Sequence, residues 1–229
     1  MIERYLHHVR VERPAPDESA AGARLRLADK FPRASLRRMT HLGLLLGSVL
    51  DDAPLGPEDA MVYASTFAET RALEEFLASF PAASPLLFQT SIHPGGVQQV
   101  LIGRQQPIAR LWPLAGRTRL VEHALLTALL EPAARVALAG GEECGTWMLE
   151  HQMASARAFA FATILTHEPA GAAGRVAFHA DGSADAAVPT LENFTAALAE
   201  RRPLLWPGAG GTWSLEWSHG GGTDSPALP

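Results

Sequence analysis

The chain has 229 residues, 47% of them apolar, and a formal net charge of −5. That length supports one core burying roughly 70–75% of the surface an unfolded chain exposes, and the negative balance excludes a basic surface that tracks phosphates. One cysteine excludes an intrachain disulfide and a cysteine-based metal site, and no run of about 18 apolar residues exists to span a membrane.

The opening MIERYLHHVRVE is too polar for a signal peptide, so a soluble cytoplasmic protein is expected. Strand character runs from Tyr5 to Val11, and the Pro/Asp/Ala/Gly-rich RPAPDESAAGA reads as a loop. Ser35 can cap a helix reaching Leu50, with Leu36, Met39, Leu42, Leu46 and Val49 on one stripe. DDAPLGPED ends it, and Met61–Ser65 reads as a short buried strand. A helix over Ala68–Phe80 places Leu73, Phe76, Leu77 and Phe80 on one face. In SPLLFQTSIHPGGVQQVLIG a Pro-bounded apolar run meets a Gly turn and a helix, which suggests a strand-to-helix corner. Ile108–Trp112 then reads as a strand, Thr118–Leu130 as a helix, and ARVALAGG as a strand entering a Gly turn. This alternation predicts a layered α/β sheet. Two β-rich runs within Arg157–Ala180 suggest an antiparallel hairpin, Thr190–Glu200 another helix, and alternation at Trp213, Leu215 and Trp217 a short edge strand. The final SHGGGTDSPALP reads as a disordered tail, so residues 1–205 are taken as one domain and 206–229 as edge strand and tail.

Few residues offer chemistry. His93-Pro94-Gly95-Gly96 is similar to the oxyanion turn of esterases, but no Gly-x-Ser-x-Gly nucleophile elbow accompanies it. The plain alternative is a helix start with Pro94 in the first turn. Cys144 follows a strand and would be a nucleophile only with a base nearby; Glu142 and Glu143 beside it would raise its pKa, so an inert core thiol is the simpler reading. The nine histidines lack metal-ligand spacing, the glycine pairs match no dinucleotide or P-loop pattern, and aromatic residues lack interleaved basic ones. No cofactor, metal or nucleic acid is therefore expected.

The order of elements from Arg37 to Phe178 resembles the amino-terminal half of a β-ketoacyl synthase. More closely it resembles the short ketosynthase-like chain length factors of aryl polyene and related polyketide pathways. LRRMTHLGLLLGSVL, VYASTFAETRALEEFLASF, the SPLLFQTSIHPGG corner and IARLWPLAGRTRLVEHALLTALLEPAARVALAGGEEC carry the likeness. At the corner the family reads Ser-Pro-x-x-Phe-x-x-Ser-Val-His-Asn-Ala. Ser84, Pro85, Phe88, Ser91 and His93 fit, and Pro94 replaces the Asn. The resemblance implies thiolase-like α/β/α layers, an amino-terminal half-fold plus an antiparallel hairpin. A synthase carries its catalytic Cys between strand and central helix, at a tip that registers near Pro113, Leu114 and Ala115, where no Cys lies. The carboxyl-terminal half that supplies catalytic histidines is matched only by its first hairpin. With His93 these residues form a degenerate active-site region.

The resemblance thus implies a noncatalytic subunit, with no catalytic residue. It would pair with an active β-ketoacyl-ACP synthase in polyene or fatty-acid-like polyketide biosynthesis, with an acyl carrier protein as a further partner. The strand Ile108, Ala109, Arg110, Leu111 and Trp112 would pair across a dimer axis. Its alternation puts Ile108, Arg110 and Trp112 on one face, and a neighbouring helix face near Leu120, Val121 and Leu125 would need cover. In isolation a homodimer is the corresponding expectation. The alternative is a stand-alone acyl hydrolase or acyltransferase using Cys144 or the His93 corner.

Overall fold

The alternating strands and helices assemble, in the computed structural model, into one eight-stranded sheet between two helical layers. The structure describes residues 1–16, 18–53, 55–180 and 186–218, and the tail beyond lies outside them. In chain order the elements are β1 (Ile2–Glu12), α1 (Ala20–Arg26), a 3-10 turn (Ala28–Lys30), α2 (Arg33–Leu36), α3 (His41–Val49), β2 (Ala60–Ser65) and α4 (Thr70–Ala78). Then follow α5 (Pro85–Thr90), α6 (Gly95–Gly103), β3 (Arg110–Ala115), α7 (Leu120–Leu130), β4 (Arg135–Glu142) and α8 (Trp147–Glu150). The last third holds β5 (Phe159–Thr166), β6 (Gly174–His179), α9 (Leu191–Glu200), β7 (Leu204–Gly208) and β8 (Gly211–Trp217).

The sheet order is β3-β2-β4-β5-β1-β6-β8-β7. The first three strands are parallel and every other pairing is antiparallel. Every residue of β2 is buried, as a strand covered on both faces requires. Alternation sorts the core in two. Met61, Tyr63, Ala137 and Ala139 face α3 and α6 with Leu42, Leu46, Val97 and Val100. Val62, Ala64, Val136 and Leu138 face α7 and α9 with Val121, Leu125, Phe194 and Leu198. No described helix is long and apolar enough to cross a membrane.

Several sequence expectations are corrected. The helix expected over Ser35–Leu50 breaks at residues 37–40, because Thr40 caps α3 by accepting from the Gly43 amide at 3.0 Å. The Pro-bounded run of the corner is the short helix α5, capped by Ser84 with Pro85 in its first turn. The loop after β1 contains α1, capped by Ser19. The two runs of the expected hairpin do not pair with each other: β1 lies between β5 and β6 and is antiparallel to both. The strand at Trp213–Trp217 is inside the sheet, β7 forms that edge, and both complete the same sheet as the rest of the chain. Leu120, Val121 and Leu125 are the covered face of α7, packed on its own sheet; the outward face exposes Leu126 and Leu130 instead.

The Gly pair read as a turn lies within β4, where backbone approaches leave no room for side chains. A Cβ on Gly140 would stand 2.6 Å from the Ala64 carbonyl oxygen, and one on Gly141 2.5 Å from that of Phe159 and 3.0 Å from the Ala160 Cα. Gly141→Ala should therefore lower the unfolding free energy by about 1–3 kcal/mol. Gly56→Ala, which meets only an Asp59 oxygen at 3.9 Å, should stay within about 0.5 kcal/mol of wild type in the same urea titration.

Candidate functional site

The edge strand β3 bonds to β2 in register from Ala60↔Arg110 to Ser65↔Ala115, and no described strand covers its outer side. Leu111 packs in the α3–α6 layer and Leu114 in the α7 layer. Ile108 and Ala109 precede the strand. Ile108 packs with Leu111, and the Ala109 amide donates to the Asp59 carbonyl at 2.7 Å. The predicted alternation thus holds only from Arg110 onward; Ile108 is on the opposite side from that expected. Pro113 lies within β3, at the kind of sheet edge where a residue without an N–H is tolerated.

Glu131, just past α7, fixes the two large side chains of this edge. Arg110 Nε donates to its Oε1 at 3.0 Å, Trp112 Nε1 to its Oε2 at 2.7 Å, and the Ala133 amide to Oε1 at 3.2 Å. The Glu131 side chain is only 1% exposed. Burial pushes its carboxyl up, but the Arg110 and Trp112 donors outweigh burial and hold it below the usual carboxylate range. From β1, the buried Arg4 donates to the main-chain oxygens of Glu131 and Ala133. Trp112 stays exposed at the end of α7 that also exposes Leu130. Nothing in the sequence marked Glu131 except a lone acid after an apolar helix.

Between β3 and α7 the chain makes a sharp strand–turn–helix elbow. Pro113, Leu114 and Ala115 are the last residues of the strand rather than the tip; the tip is Gly116–Arg119. Gly116 has φ 139° and Arg119 adopts a left-handed conformation, φ 53° and ψ 30°, directly before Leu120. A non-glycine residue held there is strained, and such strain collects at functional turns. Enzymes place a nucleophile on turns of this kind. Here Arg117 lies over the Phe67 ring at 4.9 Å, and Arg119 pairs with Glu122 at 3.2 Å. Thr118, the one hydroxyl of the tip, bonds to no described general base.

His93 is pinned rather than poised. Its Nδ1 is 3.2 Å from Glu69 Oε2, and its ring stacks on Tyr63 at 4.9 Å. The amides of the Gly pair are already used: Gly95 donates to the Ile92 carbonyl at 2.7 Å and Gly96 to Glu69 Oε1 at 2.8 Å. The corner offers no free pair of donors for an oxyanion. Tyr63, wholly buried, has its hydroxyl pushed well above its ordinary pKa, by burial first and then by the charge of Glu69.

Two buried acids end β4. Glu142 accepts from Ser65 Oγ at 3.2 Å and from the Thr66 and Phe67 amides. Glu143 accepts from the amides of Leu42 at 3.2 Å, Arg71 at 2.7 Å and Ala72 at 3.2 Å. Each therefore fixes a loop or helix start rather than a reacting group. Cys144 follows them. Its Sγ donates to the Ala156 carbonyl at 3.2 Å, and burial pushes its pKa up, with Glu143 adding to the rise. His93 and Cys144 belong to separate clusters, and neither makes a nucleophile–base pair.

No protein-family model matches the chain, and no curated protein matches it. Solved structures do. A chain from the complex of the ketosynthase ApeO with its chain length factor ApeC, from Xenorhabdus doucetiae, has a TM-score of 0.63 at 18% identity, over 94% of this chain and 100% of that one. A chain of the ishigamide ketosynthase/chain length factor has a TM-score of 0.52 at 11% identity, over 78% of this chain and 67% of that one. The fold is accordingly the thiolase-like fold of ketosynthases.

Burial raises Glu142 and Glu143 to about 7, above the ordinary carboxyl value of an unfolded chain. Between about pH 5 and 7 the folded protein then holds protons that the unfolded chain releases, so stability falls as pH rises. The slope is about 1.4 kcal/mol per pH unit for each group. His41, lowered by burial, works the other way below about pH 6.5. The melting temperature should be higher near pH 6 than near pH 8, and the double variant Glu142→Gln/Glu143→Gln should flatten that profile. An unchanged profile in the variant would refute the assignment.

Proposed function

We propose that this chain is a noncatalytic ketosynthase-like subunit, a chain length factor that pairs with an active β-ketoacyl-ACP synthase in polyene or fatty-acid-like polyketide biosynthesis. One observation carries the reading: a ketosynthase fold whose strand–helix elbow holds Arg117, Thr118 and Arg119 where a nucleophile would stand, beside an uncovered edge strand. The match to a complex of a ketosynthase with its chain length factor supports it.

The pairing surface in this reading is β3, with Arg110, Leu111 and Trp112 at its centre, Ile108 and Ala109 at its margin, and Leu126 and Leu130 of α7 beside it. Edges with unpaired amides invite a partner strand. A strand whose Arg and Trp are already fixed by Glu131 loses less side-chain freedom on association. Aromatic and Arg side chains with these properties are the usual anchors of interfaces. An acyl carrier protein would deliver substrate to the pair rather than to this chain alone. The stand-alone hydrolase reading gains no support, because the His93 corner has no free donors and the Cys144 thiol is held up in pKa.

The isolated chain should turn over no acyl thioester, and it should co-purify with the synthase encoded beside it. Cys144→Ala should leave the pathway product unchanged. Leu130→Glu, at a position 64% exposed, should weaken association with the synthase about tenfold or more while leaving the melting temperature as in wild type. Thioester turnover by the chain alone that disappears in Cys144→Ala would sink the proposal, as would association indifferent to Leu130→Glu and Trp112→Ala together. Ala109→Pro is a poor probe, because it removes the bond to Asp59 inside the chain.

A further inference from the structure

A cavity of about 490 Å³ opens where the loop after β1 and the start of α3 meet the segment after β4. Its volume is that of a small-molecule site. Pro14, Ala158 and Phe159 give it an apolar wall, and the guanidinium groups of Arg71 and Arg157 line it as well. His41 joins them with a side chain only 8% exposed, and its Nε2 has no hydrogen-bond partner among the described residues.

That nitrogen has almost no accessible surface, so it backs the wall rather than meeting a ligand. Glu18 Oε2 is 4.0 Å from it, beyond hydrogen-bond reach. Glu18 is already held by Arg26 Nε and Nη2 at 2.7 and 2.9 Å. Glu192, the other carboxylate of the lining, pairs with Arg157 at 3.0 Å where both side chains are well exposed, and the Arg71 pair with Glu75 is 3.8 Å long. Exposed pairs of this kind are weak, so both guanidinium groups keep donors for another anion.

We propose that this cavity binds a small organic anion, its oxyanion head received by Arg71 and Arg157 and its apolar body lying along Pro14 and Phe159. The site is separate from the edge strand and does not depend on the role proposed for it.

Cys144 lines the same cavity and is the only cysteine of the chain, so its alkylation by iodoacetamide reports occupancy. Hexanoate and hexyl phosphate carry both required parts; hexanol lacks the charge and inorganic phosphate lacks the body. At least one of the first two should slow alkylation of the wild-type chain and raise its melting temperature, and the better of them identifies the head group. The double variant Arg71→Met/Arg157→Met should bind that probe about tenfold or more weakly with an unliganded melting temperature equal to that of wild type. Protection by hexanol equal to that by hexanoate would leave only an apolar cleft, and equal protection by inorganic phosphate would remove the apolar body from the claim. Either result overturns the proposal, as does an absence of protection by both anions or undiminished binding in the double variant.

Discussion

Main-chain amides that leave a sheet must find acceptors, and at the carboxyl ends of β2 and β4 the acceptors are buried glutamates. Glu142 takes the amides of the turn after β2. Glu143 takes the first amides of α4 and one from α3. Glu69 takes that of Gly96 in α6, and Glu74 those of Thr146 and Met148 around α8. Four side chains thereby connect most of the helices on one side of the molecule to the ends of two central strands. Replacing one by an apolar residue would strand up to three main-chain amides at once, which explains why acids are kept where burial disfavours their charge.

The same logic on the other helical layer orders the uncovered sheet edge. Glu131 closes α7, fixes Arg110 and Trp112 on the edge, and is backed through its carbonyl by Arg4 from the middle of the sheet. The edge strand is therefore rigid for reasons internal to the chain. The neighbouring elbow holds Gly116 and Arg119 at positive φ and carries arginines at its tip. Backbone shape is set by packing and reactivity by a single side chain, so the fold alone does not fix the function.

Much of this was legible from sequence. Buried strands such as β2 and amphipathic helices such as α4 announce themselves by periodicity, and the corner motif with IARLWPLAGRTRLVEHALL pointed to the ketosynthase fold. What was not legible depended on distant partners. The insertion of β1 between β5 and β6 cannot be read from two adjacent β-rich runs, which look like a hairpin by local rules. Gly140 and Gly141 looked like a turn because their reason, a backbone approach by Ala64 and Phe159, is remote in sequence. Thr40 displaced Ser35 as the cap of the long stripe because two capping residues competed within it. Glu131 and His41 carried no motif; their roles come from the groups folding brings to them.

The place of β1 has a consequence for how the chain comes to be folded. It precedes every other described strand in the chain, yet it sits fifth in the sheet, and its neighbours are β5 and β6. Its Leu6 pairs with Leu165 on one side and Gly174 on the other. During synthesis β1 therefore has two open edges until β5, at Phe159–Thr166, has followed it. Folding dominated by such remote pairings is slow, and both edges of β1 stay open until β5 and β6 have joined it.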